Sequence, residues 1–191
     1  MNAKSIKILI LTILVGTTGI AQKYINKENT NVVKEWKGIS FSSTKTIFEN
    51  IENSADFSML KTALKNKEIL DALKSEEMVT VFAITNNGFE KYKEKQDSIF
   101  SSSNAENLKA ILKYHFIPGR VDSHSIKKSI ERNGGTIYYA TLQGEKLGIK
   151  EENGQLMLVD SKGNTSLILA TDFYHKNGFF HITEGIVFPT N

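Results

Sequence analysis

The sequence predicts an α+β domain, with helices concentrated in its first half and antiparallel strands in its second. Three observations carry that expectation. From residue 44 to residue 133 apolar residues recur three and four apart, the spacing of a buried helix face. From Thr136 the pattern changes to short β-rich runs parted by Gln143-Gly144, Asn153-Gly154, Lys162-Gly163-Asn164 and Lys176-Asn177-Gly178. One compact apolar run, Met78 to Ile84, interrupts the helical half and is too short for an ordinary helix, so it reads as a buried strand. No internal repeat is visible, and an apolar content of 40% over 191 residues suffices for one core.

The helices follow in order. Thr46 and Glu49 have capping-box spacing, in which a hydroxyl and a carboxylate satisfy each other's orphan amides, and Ile47, Phe48 and Ile51 form the stripe behind them. Phe57, Leu60 and Leu64 mark a second helical face, and Ile69, Leu70 and Leu73 a third. After the Met78–Ile84 strand, Thr85 or Asn86 caps a charged helix that turns Phe89 and Tyr92 inward. Its Lys91, Lys93, Glu94 and Lys95 read as a solvated face. Ser103 and Glu106 repeat the capping-box spacing before Leu108, Ile111, Leu112 and His115, which fall on one face. Pro118-Gly119 is expected to stop that helix. A last helix starts near Asp122 and ends at Asn133-Gly134-Gly135, and about five strands complete the chain.

The first 21 residues stand apart. Lys4 and Lys7 precede an apolar run, Ile8 to Val15, and small residues follow, with Gly19 and Ala21 placed for a cut before Gln22. That is the pattern of a cleaved secretory leader. An uncleaved anchor is the alternative, although a span needs about 20 apolar residues. The expected organisation is therefore a leader over 1–21, a polar lead-in over 22–43 and one domain over 44–191. Val32, Val33, Trp36, Ile39 and Phe41 are candidate docking residues in the lead-in.

The chain has no cysteine, so packing alone must hold it. A lipid anchor attached after the leader would need one, so that route is closed. With Lys4 and Lys7 removed, the remaining bases exceed the 21 acids by one, which argues against a nucleic-acid binder. The same leader leaves no integral membrane span in the mature chain.

Three stretches then carry a name. Thr80 to Phe89 reads as a strand running into a capped helix, Tyr114-His115 lies on the apolar helix face, and Asn177 to Pro189 reads as a closing strand containing His181. In that order they resemble the signature boxes of the fasciclin domain family, over roughly Ser42 to Thr190. Ser54 to Phe57 and Asp160 to Asn164 also resemble the small, single-domain, secreted bacterial members. Ile84 stands where that family usually has proline, Asn87-Gly88 replaces an acidic-alanine pair, and Thr183 and Glu184 stand where an aliphatic residue and Asp are usual. Gly88 should weaken its helical turn by up to about 1 kcal/mol.

The resemblance implies a wedge-shaped β-sandwich with helices packed around it and no cofactor. It implies a secreted, non-enzymatic module, periplasmic or extracellular, that contacts a cell-surface protein or polysaccharide. It singles out Thr85, Asn86, Tyr114, His115, His181 and Pro189 as family-motif positions, structural first and possible recognition residues second. Some animal members bind integrins through segments matching Leu108 to Ile117 and Asn66 to Leu70. Both segments also read as plain helix, the second as a helix start with Ile69 and Leu70 facing the core.

The residues themselves weigh other chemistry. His115 reads as a buried, hydrogen-bonded histidine at the core edge, its ring bonded to a strand or to the Thr85-Asn86 cap, and His181 reads in the same way, against a recognition role for either. His124 and His175 read as exposed, and the four histidines are too scattered for metal-ligand spacing. No Gly-x-Ser-x-Gly or phosphate-loop pattern occurs. The aromatics Tyr138, Tyr139, Phe173, Tyr174, Phe179 and Phe180 motivate an alternative, a periplasmic binder of a small apolar or aromatic ligand, against a bland reading in which they fill the sandwich. Asp97-Ser98-Ile99 resembles a short O-glycosylation acceptor.

Overall fold

Residues 31–92 and 104–190 are described by the computed structural model. The leader residues, the Lys93–Lys95 charges, Asp97-Ser98-Ile99 and Ser103 lie outside the described residues. Nine strands and six α-helices are described. A hairpin of β1 (Val33–Trp36) and β2 (Ile39–Ser42) comes first. α1 (Ile47–Ile51), a 3-10 turn (Ala55–Phe57), α2 (Ser58–Ala63) and α3 (Lys67–Ser75) follow. β3 (Val79–Ile84) leads to α4 (Asn86–Glu90), α5 (Ala105–Tyr114), β4 (Phe116–Pro118) and α6 (Ser123–Arg132). β5 (Thr136–Ala140), β6 (Lys146–Glu152), β7 (Gln155–Val159), β8 (Thr165–His175) and β9 (Gly178–Thr183) finish the chain.

The large sheet has the order β4-β3-β9-β8-β7-β6-β5. Every pairing is antiparallel except β3 with β9, which run parallel from Val79↔Gly178 to Ile84↔Thr183. A parallel pair is expected to be covered on both faces, and all residues of β3 and β9 are buried. The Leu142 amide donates to the Phe116 carbonyl at 2.9 Å, which draws the β5 end of the sheet to the β4 end. The sheet thus curls into a nearly closed, barrel-like sandwich, the α+β architecture expected from the sequence.

Alternation along β3 makes two cores. Val79, Val81 and Ala83 point into one, with Phe41, Ile51, Phe57, Leu60, Ile69 and Phe180. Phe82 points into the other, with Tyr114, Ile126, Ile130, Leu147, Ile149 and Leu158. Each fully buried phenylalanine contributes about 1.5–3 kcal/mol relative to exposure.

Local signals worked where they were local. Thr46 and Glu49 form the capping box, Asp122 caps α6 through the Ser125 amide at 2.9 Å, and Phe57, Leu60, Leu64, Ile69 and Leu73 are buried. Four expectations need correction. From Asn31 the segment read as a plain lead-in carries the β1–β2 hairpin, although Phe41 docks as expected: it is 1% exposed, in edge-on contact with Phe173 and Phe180 at 5.3 and 5.1 Å. Asn50 ties that hairpin to α1, accepting from the Ser42 amide at 2.7 Å and donating to its carbonyl at 3.0 Å. Pro118-Gly119 does not stop α5: the helix ends at Tyr114, and Phe116–Pro118 pairs with β3, because this apolar tripeptide completes the sheet edge. The N-cap of α5 is Asn104, whose side chain makes no capping bond, with Glu106 paired to Lys109. His175 is not exposed but buried at 3%, because two register shifts in β8 re-aim its side chains.

Candidate functional site

Thr85 ends β3 and caps α4. Its Oγ1 accepts from the Gly88 amide at 3.3 Å, and its own amide donates to the Thr183 carbonyl at 3.2 Å. Of the two capping candidates Thr85 takes the role, and Asn86 does something else. The Asn86 amide group donates to the Ala55 carbonyl at 2.7 Å and the Ser58 hydroxyl at 2.9 Å, and its Oδ1 accepts from the Met59 amide at 3.0 Å. It therefore clamps the start of α2 to the start of α4. Gly88 packs α4 onto the turn after β9: a Cβ there would stand 2.7 Å from the Glu184 carbonyl oxygen and 2.8 Å from the Ile84 side chain. The helix weakness expected of Gly88 is thus tied to a close approach that needs the missing Cβ.

Tyr114 and His115 close α5 and turn to different partners. The Tyr114 ring is fully buried in the second core, and its hydroxyl donates to the Lys146 carbonyl at 2.9 Å. Burial first, then Asp160 and Glu145, push this phenol up to about 12. His115 is also fully buried. Its Nδ1 lies 2.8 Å from the Ile111 carbonyl, and its Nε2 lies 3.4 Å from the Val187 amide. Only a neutral ring protonated on Nδ1 satisfies both, since Nε2 must accept. Burial lowers this imidazole to about 4, against the opposing bond to Ile111. The partner across the fold is the segment after β9, not a strand or the Thr85-Asn86 cap.

His181 sits on β9 and stacks on Phe82 at 5.3 Å. Its Nε2 lies 2.8 Å from the Val121 carbonyl, and its Nδ1 accepts from the Asp172 amide at 3.2 Å. This ring is neutral with the other tautomer, and burial lowers its pKa. Asp172 in turn grips the start of α6, accepting from the Ser123 amide at 2.7 Å and from the Ser123 hydroxyl. Pro189 lies half-buried between two anchored amides. The Phe188 amide donates to Asp160 at 3.1 Å and the Thr190 amide to Glu145 at 2.8 Å.

The two predicted boxes and the Tyr-His pair therefore meet inside the domain: β3 lies on β9, and His115 reaches the end of the second box at Val187. Both nitrogens of His115 and of His181 are engaged by backbone, so neither ring is free to move a proton for a substrate. Among the described residues no group of three or more His, Cys, Asp or Glu could hold a metal ion, and no helix is long and apolar enough to cross a membrane. His175, missed at the sequence level, lies 3.1 Å from the Val79 carbonyl through Nε2, with its pKa lowered by burial.

Cavities lie elsewhere. One of about 670 Å³ sits between α1, α3 and the β8–β9 turn, with Ile47, Phe48, Leu70, Leu73 and Val79 in its wall. Of the aromatics expected around a ligand, none lines that cavity, and Tyr138 borders a separate, shallower depression of about 530 Å³. Phe173 and Phe180 stack on each other at 5.1 Å within the core, and Tyr174 packs on Phe179 at 4.8 Å. Tyr138 does not fill the sandwich: it is 59% exposed. Among the integrin-type segments, Asn66 caps α3 through the Glu68 and Ile69 amides, Ile69 is buried, and Lys67 and Glu68 are exposed.

A curled mixed sheet with one parallel pair, β3–β9, wrapped by short helices and locked by internal histidines, defines a FAS1-type module. The chain belongs to the fasciclin domain family, whose model matches residues 55–189. It is 29% identical over 148 residues to protein sll1483 of Synechocystis sp., covering 77% of this chain and 75% of that one. It is 28% identical over 148 residues to human periostin and 26% identical over 144 residues to pig transforming growth factor-beta-induced protein ig-h3. The chain spans only 16% and 19% of those two proteins, while they match 77% and 75% of it. A FAS1 domain pair from the insect cell adhesion molecule Fasciclin I has the same fold, with a TM-score of 0.64 at 14% identity, covering 82% of this chain and 66% of that one.

Proposed function

We propose that this chain is a secreted, non-enzymatic adhesion module that contacts a cell-surface protein or a polysaccharide, with residues 1–21 as its leader. The observation that carries the reading is the internal engagement of the family-motif groups. Thr85, Asn86, Tyr114, His115 and His181 all spend their polar atoms on the protein's own backbone or side chains. That leaves contact to the outer loops and charged faces. Family membership supports the same reading, as does the naming of one structural neighbour as a cell adhesion molecule. The test is saturable retention of beads carrying the chain from Gln22 onward on intact cells, envelope fractions and extracellular polymers. Beads that bind none of the three would sink the proposal.

A second reading has one specific observation behind it, the cavity of about 670 Å³ with an apolar wall of Ile47, Phe48, Leu70, Leu73 and Val79. A binder of a small apolar or aromatic ligand would be stabilised on heating by saturating alkyl or aryl compounds, through linkage. An unmoved Tm across such a panel would remove this reading.

A further inference from the structure

We propose that Tyr138 is the stacking platform of a carbohydrate subsite that takes one uncharged sugar ring of a polysaccharide strand. The inference rests on the polysaccharide half of the function proposed above. Among the described residues the exposed large apolar side chains are Val32, Val33, Met78, Tyr138 and Leu169, and Tyr138, 59% exposed, is the aromatic among them.

The ring is held in place rather than waving in solvent. Tyr138 stands directly opposite Gly148 across β5 and β6, and Val159 of β7 stands opposite the same glycine. A Cβ on Gly148 would fall 3.1 Å from the Tyr138 Cε1 and 2.6 Å from the Val159 Cγ1. The tyrosine therefore packs over the space the missing side chain leaves, with much of its surface still open. A platform ordered by folding loses little freedom when a ligand arrives. Its electron-rich face suits the partially positive axial C–H groups of a pyranose.

The rim supplies the rest of the recognition. A depression of about 530 Å³ beside the ring is lined by Gly144, Glu145, Lys146 and Ser161. The Lys146 ammonium donates, while the Glu145 carboxylate and the Ser161 hydroxyl, already bonded to the Thr190 amide and hydroxyl at 2.8 Å each, keep further acceptor capacity, which matches the mixed donor and acceptor demand of sugar hydroxyls. The rim backbone is fixed. The Glu145 carbonyl accepts from Thr141 Oγ1 at 2.8 Å, and the Lys146 carbonyl from Tyr114 at 2.9 Å. Glu145 and Lys146 cancel in charge, which favours a neutral sugar over a polyanion. A protein-binding hot spot would set its aromatic among apolar neighbours that exclude water. Here Thr136, Ala140, Lys146 and Lys150 flank the ring on β5 and β6, and the apolar neighbours on the same face, Val159 and Met157, lie beyond Gly148 and Lys150 on β7.

The experiment is affinity electrophoresis of the full chain in native gels containing a β-glucan, a mannan, a xylan or a galactan, with alginate as the anionic comparison. Bead retention on intact cells is measured in parallel. Retardation by at least one neutral polysaccharide is expected, weakened about tenfold or more in Tyr138→Ala and kept in Tyr138→Phe. Lys146→Ala, which leaves the ring in place, should weaken it several-fold. Unfolding midpoints of all variants should stay near that of the parent chain. Retardation unaffected by both Tyr138→Ala and Lys146→Ala overturns the subsite while leaving polysaccharide binding intact. Alginate retarding the chain in preference to every neutral polymer overturns the neutral-sugar assignment. Retention on cells with no retardation by any polysaccharide overturns the inference and leaves adhesion to a protein standing. Failure in both assays removes the subsite and the adhesion reading together.

Discussion

Acidifying the protein from about pH 7.5 to about pH 4.5 should cost it about 2–3 kcal/mol through His115 alone. The folded ring is neutral, with its pKa lowered from 6.5 to about 4 by complete burial. The unfolded ring keeps the ordinary value. Between the two values the unfolded chain binds the extra proton, so stability rises with pH across that window. The contribution is complete above about 6.5 and is lost as pH falls towards about 4. Protonation also turns Nε2 into a donor facing the Val187 amide, so the bond at 3.4 Å is replaced by a repulsive contact. His181 and His175 are lowered by burial as well and add to the loss with the same sign. The assay is urea unfolding at a series of pH values for the parent chain and for His115→Gln. Glutamine offers both a donor and an acceptor without titrating, so its stability should fall less by that same amount. Equal losses in the two proteins, or a folded-state ring titration near 6.5, would mean that His115 is not buried as a neutral ring.

Three more outcomes are open to denaturant unfolding. Gly88→Ala should destabilise by about 1–3 kcal/mol, since its Cβ meets the Glu184 carbonyl oxygen at 2.7 Å. Helix propensity alone predicts a gain of up to about 1 kcal/mol, so the sign decides between them. Phe41→Ala should cost about 3–5 kcal/mol, because the ring is 1% exposed among Phe57, Phe173 and Phe180. A loss under about 1 kcal/mol would mean that the β1–β2 hairpin is only loosely attached. Asn86→Ala should cost about 1–3 kcal/mol, by leaving the Met59 amide and the Ala55 carbonyl without this partner. Asn86→Asp, which keeps an acceptor for Met59, should recover part of it.

The sequence revealed whatever a few neighbouring residues decide. Thr46 with Glu49 and Asp122 with Ser125 close their bonds within one helical turn, so spacing alone exposes them. Asn153-Gly154 joins Glu152 to Gln155 as a two-residue hairpin, the turn its residues favour. The β1–β2 hairpin stayed hidden because Lys37-Gly38 lacks the usual Asn or Asp, and because most of its side chains are exposed. β4 stayed hidden because three residues are too few to show a period. His175 was misplaced because alternation cannot be counted through the shifts between Ile168, Ala170 and Phe173. The clamp made by Asn86 spans 27 to 31 residues, and no local pattern records it. Tyr138 was read as interior for the same kind of reason: its outward face follows from a pairing with Gly148 that only the folded sheet creates.

The family-motif residues hold the domain together, and under the proposed function contact is made elsewhere on its surface. The decisive measurement is retention of His115→Gln on cells and extracellular polymers, compared with the parent chain at neutral pH. Equal retention is expected once both proteins are shown to be folded. Retention lost in a folded His115→Gln protein would place recognition in the Tyr114-His115 segment and contradict the claim.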